Sequence, residues 1–257
     1  MFVDYTKMNG LKNDFIVFEG AIQISSETVA SLCDRKTGIG ADGVLVVTKI
    51  NPGQVQMEYW NADGSTAEMC GNGLRCAARF AVDNQIASPG EFVVQTPVGP
   101  LKVVCGDNSN DDIEVQVGRV EVEPAPVMLH GFSFYKARVG NPHAITIVKD
   151  TDTAPVKSIG PRVEKDSTFP HKTNVEFVEI VDSGQLKLRV WERGVGETLA
   201  CGTGMVASAV VSSVIKKTQL PIEIEVEGGT AKVWVDDDGF ARLLGPVETT
   251  ETGKVKI

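Results

Sequence analysis

Residues 59–80 read YWNADGSTAEMCGNGLRCAARF, and residues 190–211 read VWERGVGETLACGTGMVASAVV. Laid over each other at a shift of 131 positions, they agree at Trp60/Trp191, Cys70/Cys201, Gly71/Gly202, Gly73/Gly204 and Ala78/Ala209. Five identities in 22 positions is a weak signal alone. The order of the flanking features strengthens it. Each segment is preceded by an Asn that opens a strand-like run, Asn13-Asp14-Phe15-Ile16-Val17-Phe18 in one case and Asn174-Val175-Glu176-Phe177-Val178 in the other. Each is followed by an apolar helix and then by alternating β-type sequence: VGPLKVV (98–104) with IEVQVG (113–118), and GGTAKVWV (228–235) with FARLLG (240–245). A duplication that produced two similar α+β lobes explains this order better than chance.

Within each copy the local signals agree. VLVVTKI (44–50) and VQMEYW (55–60) read as a hairpin across Asn51-Pro52-Gly53, and LKLRVW (186–191) alternates in the same way. After Cys70, residues Leu74, Ala77, Ala78, Ala81 and Val82 recur at helical spacing and form one apolar stripe. After Cys201, the run MVASAVVSSVI is apolar on nearly every side, which predicts a central, buried helix. Both cysteines therefore fall at a helix N-terminus, with glycines following.

Composition narrows the function classes. The 257-residue chain has 25 Lys+Arg against 34 Asp+Glu, for a net charge of −9, and no basic cluster. That argues against nucleic acid or an anionic membrane as a partner and leaves small molecules open. The opening residues lack a signal-peptide pattern. The longest uncharged run, 198–215, is interrupted by Gly, Cys and Ser and reads as a buried helix rather than a span, so the expected location is the cytoplasm. Five cysteines (33, 70, 76, 105 and 201) form no CxxC pair and read as thiols. Histidines 130, 143 and 171 show no metal-ligand spacing, so no metal site is expected. By default Cys33, Cys76 and Cys105 are small core residues, Gly38-Ile39-Gly40 is a tight turn, His143 is a turn histidine and Glu192-Arg193 is a surface ion pair.

The first N–H groups of a helix have no intrahelical partner and carry partial positive charge. They lower the pKa of a thiol placed there and can receive a carboxylate. Two such helix starts facing one cleft would hold a carboxylate with a thiol on each side of its α-carbon. This arrangement suits stereoinversion: one thiolate removes the α-proton, the opposite thiol returns one, and N–H donors stabilise an enediolate-like intermediate.

The stretch Asn61–Arg75 resembles the signature of the diaminopimelate epimerase family, N-x-D-G-S-x-A-x-x-C-G-N-G-x-R. The second half resembles the same family at GNPH (140–143), TNVEF (173–177) and ERGVGETLACGTG (192–204), so the likeness runs through nearly the whole chain. The resemblance implies cofactor-independent interconversion of LL- and meso-diaminopimelate, on the route to lysine and peptidoglycan. It implies Cys70 and Cys201 as the acid/base pair, with His143 and Glu192 near the thiols. The backbone N–H groups of Gly71, Asn72, Gly202 and Thr203 would hold the α-carboxylate. Asn61, Asn174 and Arg193 would take the distal carboxylate, Glu192 the distal ammonium, and Asn13 and Asn141 would line the pocket.

The implied fold class is α+β with two pseudo-symmetric duplicated lobes, each a curved, mostly antiparallel sheet around a central helix. The expected boundaries are 1–115 for the lobe carrying Cys70, completed by 247–257, and 116–246 for the lobe carrying Cys201, with the site in the cleft between them. Homodimerisation is compatible with the resemblance. The family pattern G-L-G-N-D-F reads Gly10-Leu11-Lys12-Asn13-Asp14-Phe15 here, so a lysine replaces a glycine. Two other readings stand beside this one. They are a racemase of a different amino acid on the same fold, and a redox-regulated binding protein with a Cys70–Cys201 disulfide.

Overall fold

The computed structural model describes residues 2–66, 70–123 and 125–257. The motif residues Ala67, Glu68 and Met69 lie outside the described residues. The chain forms two compact units, the first made of residues 1–115 with 244–257 and the second of residues 116–243.

In the first unit, β1 (Phe2–Gly10) and β2 (Asn13–Glu19) form an antiparallel hairpin. Helix α1 (Ser26–Cys33) crosses over to β3 (Gly43–Asn51), which runs parallel to β2. Ser25 caps α1, its hydroxyl accepting from the Thr28 N–H. The hairpin partner β4 (Gln54–Asn61) is antiparallel to β3. Helix α2 (Gly71–Asp83) then crosses to β5 (Gly90–Thr96), parallel to β4. Strands β6 (Gly99–Cys105) and β7 (Ile113–Gly118) extend the sheet antiparallel.

Helix α2 is buried along its whole length from Gly71 to Val82. The apolar stripe accounts for only one of its faces. The polar face is enclosed as well because its two arginines reach backbone carbonyls: Arg79 donates to Gly106 O at 2.9 Å and Asn108 O at 3.0 Å and pairs with Asp83 at 2.8 Å. Burying such a cation is tolerated when most of its donors are matched, and here both terminal nitrogens are, while Nε has no hydrogen-bond partner.

The second unit opens with the short strands β8 (Glu121–Val122) and β9 (Val127–Leu129), both antiparallel to β10 (Phe132–Val139). Strand β11 (Asn141–Val148) completes a hairpin with β10, and α3 (Val156–Glu164) crosses to β12 (Asn174–Ile180), parallel to β11. Strand β13 (Gln185–Glu192) is antiparallel to β12 and carries the short β14 (Gly196–Thr198). Helix α4 (Gly202–Val214) crosses to β15 (Ile222–Val226), parallel to β13, and β16 (Gly229–Val235) and β17 (Ala241–Gly245) follow. The last strand, β18 (Glu248–Lys256), belongs to the first unit and is antiparallel to β1 over nearly its full length.

The pairing sequence antiparallel, parallel, antiparallel, parallel, antiparallel thus runs through β1 to β6 and again through β10, β11, β12, β13, β15 and β16. The parallel steps are the ones that need a helical crossover, and both units place a cysteine-led helix in the second of them. No helix among the described residues is long and apolar enough to cross a membrane.

Candidate active site

In the first unit Cys70 is the N-cap of α2, with extended backbone (φ −143°, ψ 116°), and its sulfur accepts from the Gly73 N–H at 3.4 Å. The Cys70 thiol also donates to Asn13 Oδ1 at 3.6 Å. That oxygen accepts from Asn72 Nδ2 at 3.3 Å, while the Asn13 amide nitrogen donates to Asp42 at 2.8 Å. Asp42 therefore fixes which end of the Asn13 amide faces the thiol. Asn72 is buried and its own carbonyl receives Arg75 Nη2 at 2.9 Å. Asn61 closes β4 in a turn, where its amide donates to the Ser65 hydroxyl at 2.9 Å. Among the predicted residues of this unit, Cys70, Gly71, Asn72 and Asn13 form one connected cluster.

In the second unit Cys201 is the N-cap of α4, again extended (φ −127°, ψ 111°), and is buried. Its sulfur lies 3.6 Å from the Thr203 hydroxyl, which accepts from Asn141 Nδ2 at 3.3 Å. Asn141 Oδ1 in turn faces His143 Nε2 at 2.9 Å, and His143 Nδ1 faces Glu176 Oε1 at 2.6 Å. His143 is wholly buried on β11 rather than exposed in a turn, because β11 is packed on both faces near its start.

Glu192 and Arg193 do not pair with each other. The Glu192 carboxylate accepts from the Thr198 hydroxyl at 2.5 Å. The exposed Arg193 donates its backbone N–H to Asn174 Oδ1 at 2.9 Å and its guanidinium to His171 O at 3.3 Å. The Asn174 amide is held by Pro142 O at 3.2 Å.

Burial pushes the Cys201 thiol well above its ordinary value, and the carboxylates Glu192 and Glu176 add to the rise; Thr203 and the Gly204 N–H oppose it. Burial likewise raises the Glu192 carboxyl, against hydrogen bonds from Thr198 and Cys201. All five cysteines are thiols rather than disulfide partners.

Three residues escaped the sequence reading. Glu176 sits in the run TNVEF, and an acid inside a strand buried at five successive positions is a readable anomaly. Arg75 closes the signature-like stretch Asn61–Arg75, and nothing local marks it as enclosed under the α2 N-terminus. Asp42 follows the Gly38-Ile39-Gly40 turn and carries no local signal.

A model of the family described as diaminopimelate epimerase matches residues 5–123 and 135–257. The diaminopimelate epimerase of Caldanaerobacter subterraneus subsp. tengcongensis is 39% identical, over 98% of this chain and 99% of that protein. The diaminopimelate epimerase of Leptospira biflexa serovar Patoc is 35% identical over the full length of both. Among solved structures, the Bacillus anthracis phenazine biosynthesis protein of the PhzF family shares the fold with a TM-score of 0.79 at 15% identity, covering all of both chains. A probable proline racemase from Agrobacterium radiobacter K84 does so with a TM-score of 0.74 at 13% identity, covering 99% of this chain and 93% of that one.

Proposed function

The chain belongs to the diaminopimelate epimerase family, and from that premise we propose that it interconverts LL- and meso-2,6-diaminopimelate without a cofactor, in lysine and peptidoglycan-precursor biosynthesis. The observation that carries the chemistry is the repeated N-cap cysteine. In both units a cysteine is the N-cap of a buried helix whose first and third residues are glycines, and in the first unit its sulfur accepts from the Gly73 N–H.

In this reading one cysteine, as thiolate, takes the α-proton. The C–H bond breaks, an S–H bond forms, and the electron pair passes into the α-carboxylate as an enediolate. The other cysteine gives its proton to the opposite face and is left as thiolate. N–H groups of Gly71, Asn72, Gly202 and Thr203 hold the reacting carboxylate and stabilise the charge that develops on it. Asn61, Asn174 and Arg193 receive the distal carboxylate, and Glu192 the distal ammonium. Asn13 and Asn141 are pocket walls that also touch the residue two positions past each cysteine, Asn72 and Thr203. His143 steadies the Asn141 carbonyl. A small-molecule amino acid is the partner this chemistry requires, and the acidic chain favours neither nucleic acid nor membrane.

The test is exchange of the α-proton of LL-diaminopimelate in deuterated water with no added cofactor, run beside proline, hydroxyproline and other amino acids. Exchange and epimerisation confined to diaminopimelate support the reading. Preference for a monocarboxylic amino acid would overturn the substrate assignment. Cys70→Ala and Cys201→Ala should each abolish epimerisation, a loss of at least ~10³-fold for an acid/base group. Epimerisation surviving in both would overturn the two-thiol mechanism.

A further inference from the structure

The two cysteine-led helices rest on layers of opposite electrical character. The strand registers define equivalent positions: Phe15 opposes Gly43 across β2 and β3, and His143 opposes Asn174 across β11 and β12. Two residues further along, Leu45 on β3 and Glu176 on β12 occupy the same place beneath the third residue of each helix. A Cβ built on Gly73 meets Leu45 Cδ2 at 3.4 Å and Phe15 Cζ at 3.5 Å, whereas one built on Gly204 meets Glu176 Oε1 at 2.9 Å. An apolar pair underlies the first helix start, and a histidine–glutamate pair underlies the second.

The helices differ in the reverse sense. Position 75 is arginine and its counterpart, position 206, is valine. Arg75 is fully buried. It donates to Asn72 Oδ1 and, at 3.4 Å, to Gly71 O, and its Nε has no partner. No carboxylate lies within ion-pair distance of it among the described residues, burial lowers its pKa, and it is linked to the Cys70 thiol by hydrogen bonds through Asn72, whose amide donates to the same Asn13 Oδ1 that the thiol uses. A guanidinium stays protonated even when buried, so this cation persists.

We infer that Arg75 makes Cys70 the resting thiolate, and that Glu176 with Glu192 makes Cys201 the resting thiol, so the two halves of the duplicated device are poised as base and acid before substrate arrives.

The groups facing each sulfur are consistent with this assignment. Around Cys70, the Gly73 N–H and Arg75 favour the anion. Asn13 Oδ1 favours the thiol, but that oxygen is already shared with Asn72. The nearby Asp14 is tied to Arg35 and Lys7. Cys76 is itself held protonated by burial. Around Cys201, Glu192 from β13 and Glu176 from β12 both oppose a second negative charge. His143 Nδ1 lies 2.6 Å from Glu176 Oε1, so the Glu176 carboxylate faces an imidazole and not a fixed cation such as arginine.

The inference rests on the two-thiol reading, and its test needs no turnover, so the two fail separately. Ligand-free enzyme is alkylated with isotope-coded iodoacetamide across a pH series, and each cysteine's rate profile is read by peptide mass spectrometry. The pH midpoint is independent of how accessible each sulfur is. Cys70 should show a midpoint at least about one pH unit below that of Cys201. Arg75→Met should raise the Cys70 midpoint by about one unit and leave Cys201 in place, with Arg75→Lys restoring it. Glu176→Gln combined with Glu192→Gln should lower the Cys201 midpoint. Equal wild-type midpoints, a lower one at Cys201, or a Cys70 profile unmoved in folded Arg75→Met would overturn the inference. If Arg75→Met does not fold, the wild-type and Arg75→Lys profiles still decide it.

Discussion

Lys12 has a left-handed backbone, φ +62°, directly after Leu11 at +56°. A side chain at such an angle costs about 1–2 kcal/mol, and the backbone N–H of Lys12 donates to Asn9 Oδ1 at 3.2 Å, a bond that glycine would keep. The family pattern has glycine here, which meets the angle without strain but gives back about 0.4–1 kcal/mol of unfolded-chain entropy. Lys12→Gly should therefore raise stability by no more than about 1.5 kcal/mol, measured as a urea midpoint shift with unchanged slope. A loss of stability would show that the exposed lysine makes contacts of its own.

The thiols make a second residue-scale case. Burial raises Cys33 and Cys76 to about 12 and Cys105 to about 11, and Cys201 is raised well above the ordinary value. The folded state thus keeps protons that the unfolded state releases above pH ~8.5, so stability is full below that pH and falls as pH rises toward the folded values. Each such thiol contributes up to ~1.4 kcal/mol per pH unit to the slope. Urea unfolding under reducing conditions should weaken steadily from pH 8.5 to 10.5 (bounds set by the ordinary thiol value), and Cys201→Ala should flatten that decline. An unchanged slope in Cys201→Ala would place the thiol's titration near its ordinary value.

At the scale of elements, the two helix starts respond differently to one added methyl group. The Cβ of Gly73→Ala enters ordinary contact with Leu45, Phe15 and the Cys70 Cβ at 3.6 Å, and stability should stay within about 1 kcal/mol of wild type. In Gly204→Ala the Cβ lies 2.9 Å from a carboxylate oxygen that His143 holds in place, and 3.3 Å from the Cys201 sulfur. Something must shift, at a cost of about 1–3 kcal/mol, and epimerase activity should fall with it. Thermal melts and initial rates of the two variants read out the contrast; equal effects would mean the layers beneath the helices yield equally.

This asymmetry is the part of the site the sequence did not reveal. The cysteines, the helix starts and the hairpin were legible because turn residues and apolar spacing are local. Glu176, Arg75 and Asp42 were not, because their meaning comes from register across parallel strands and from what packs beneath a helix. The burial of the helix face carrying Arg75 and Arg79 has no local signal for the same reason: it depends on carbonyls of Gly71, Gly106 and Asn108, and two of these lie some thirty residues away in the chain.

For the whole molecule, the strand-pairing order of the two units shows that the repeat in the sequence is a repeat of topology. The C-terminal strand fits that repeat but comes from the far end of the chain. Strand β18 belongs to the first unit, paired antiparallel with β1 from Phe2↔Lys256 to Asn9↔Glu248, and it stands where β8 and β9 flank β10 in the second unit. Its exposed, charged residues ETTETGKVK give little apolar signal, so the sequence marks its destination only through family resemblance.

Yet Val255 and Ile257 pack against the core formed by Tyr5, Ile16, Phe18 and Val29, and the Tyr5 hydroxyl donates to Glu251 at 2.5 Å. Removing residues 248–257 takes away two apolar side chains that cover the core, worth together about 2–4 kcal/mol, breaks a ladder along β1 and leaves β1 as an open edge. With the ladder's hydrogen bonds added, at about 0.5–1.5 kcal/mol each, the loss becomes comparable with a typical total of about 5–15 kcal/mol and is enough to unfold the first unit at ordinary temperature. The truncated chain should lose amide-exchange protection across β1, β2 and β3 while retaining it in Gln116–Leu243, and should associate on size-exclusion chromatography through the bared edge. A monodisperse truncated chain with wild-type protection in β1 would show that the first unit holds together without its last strand.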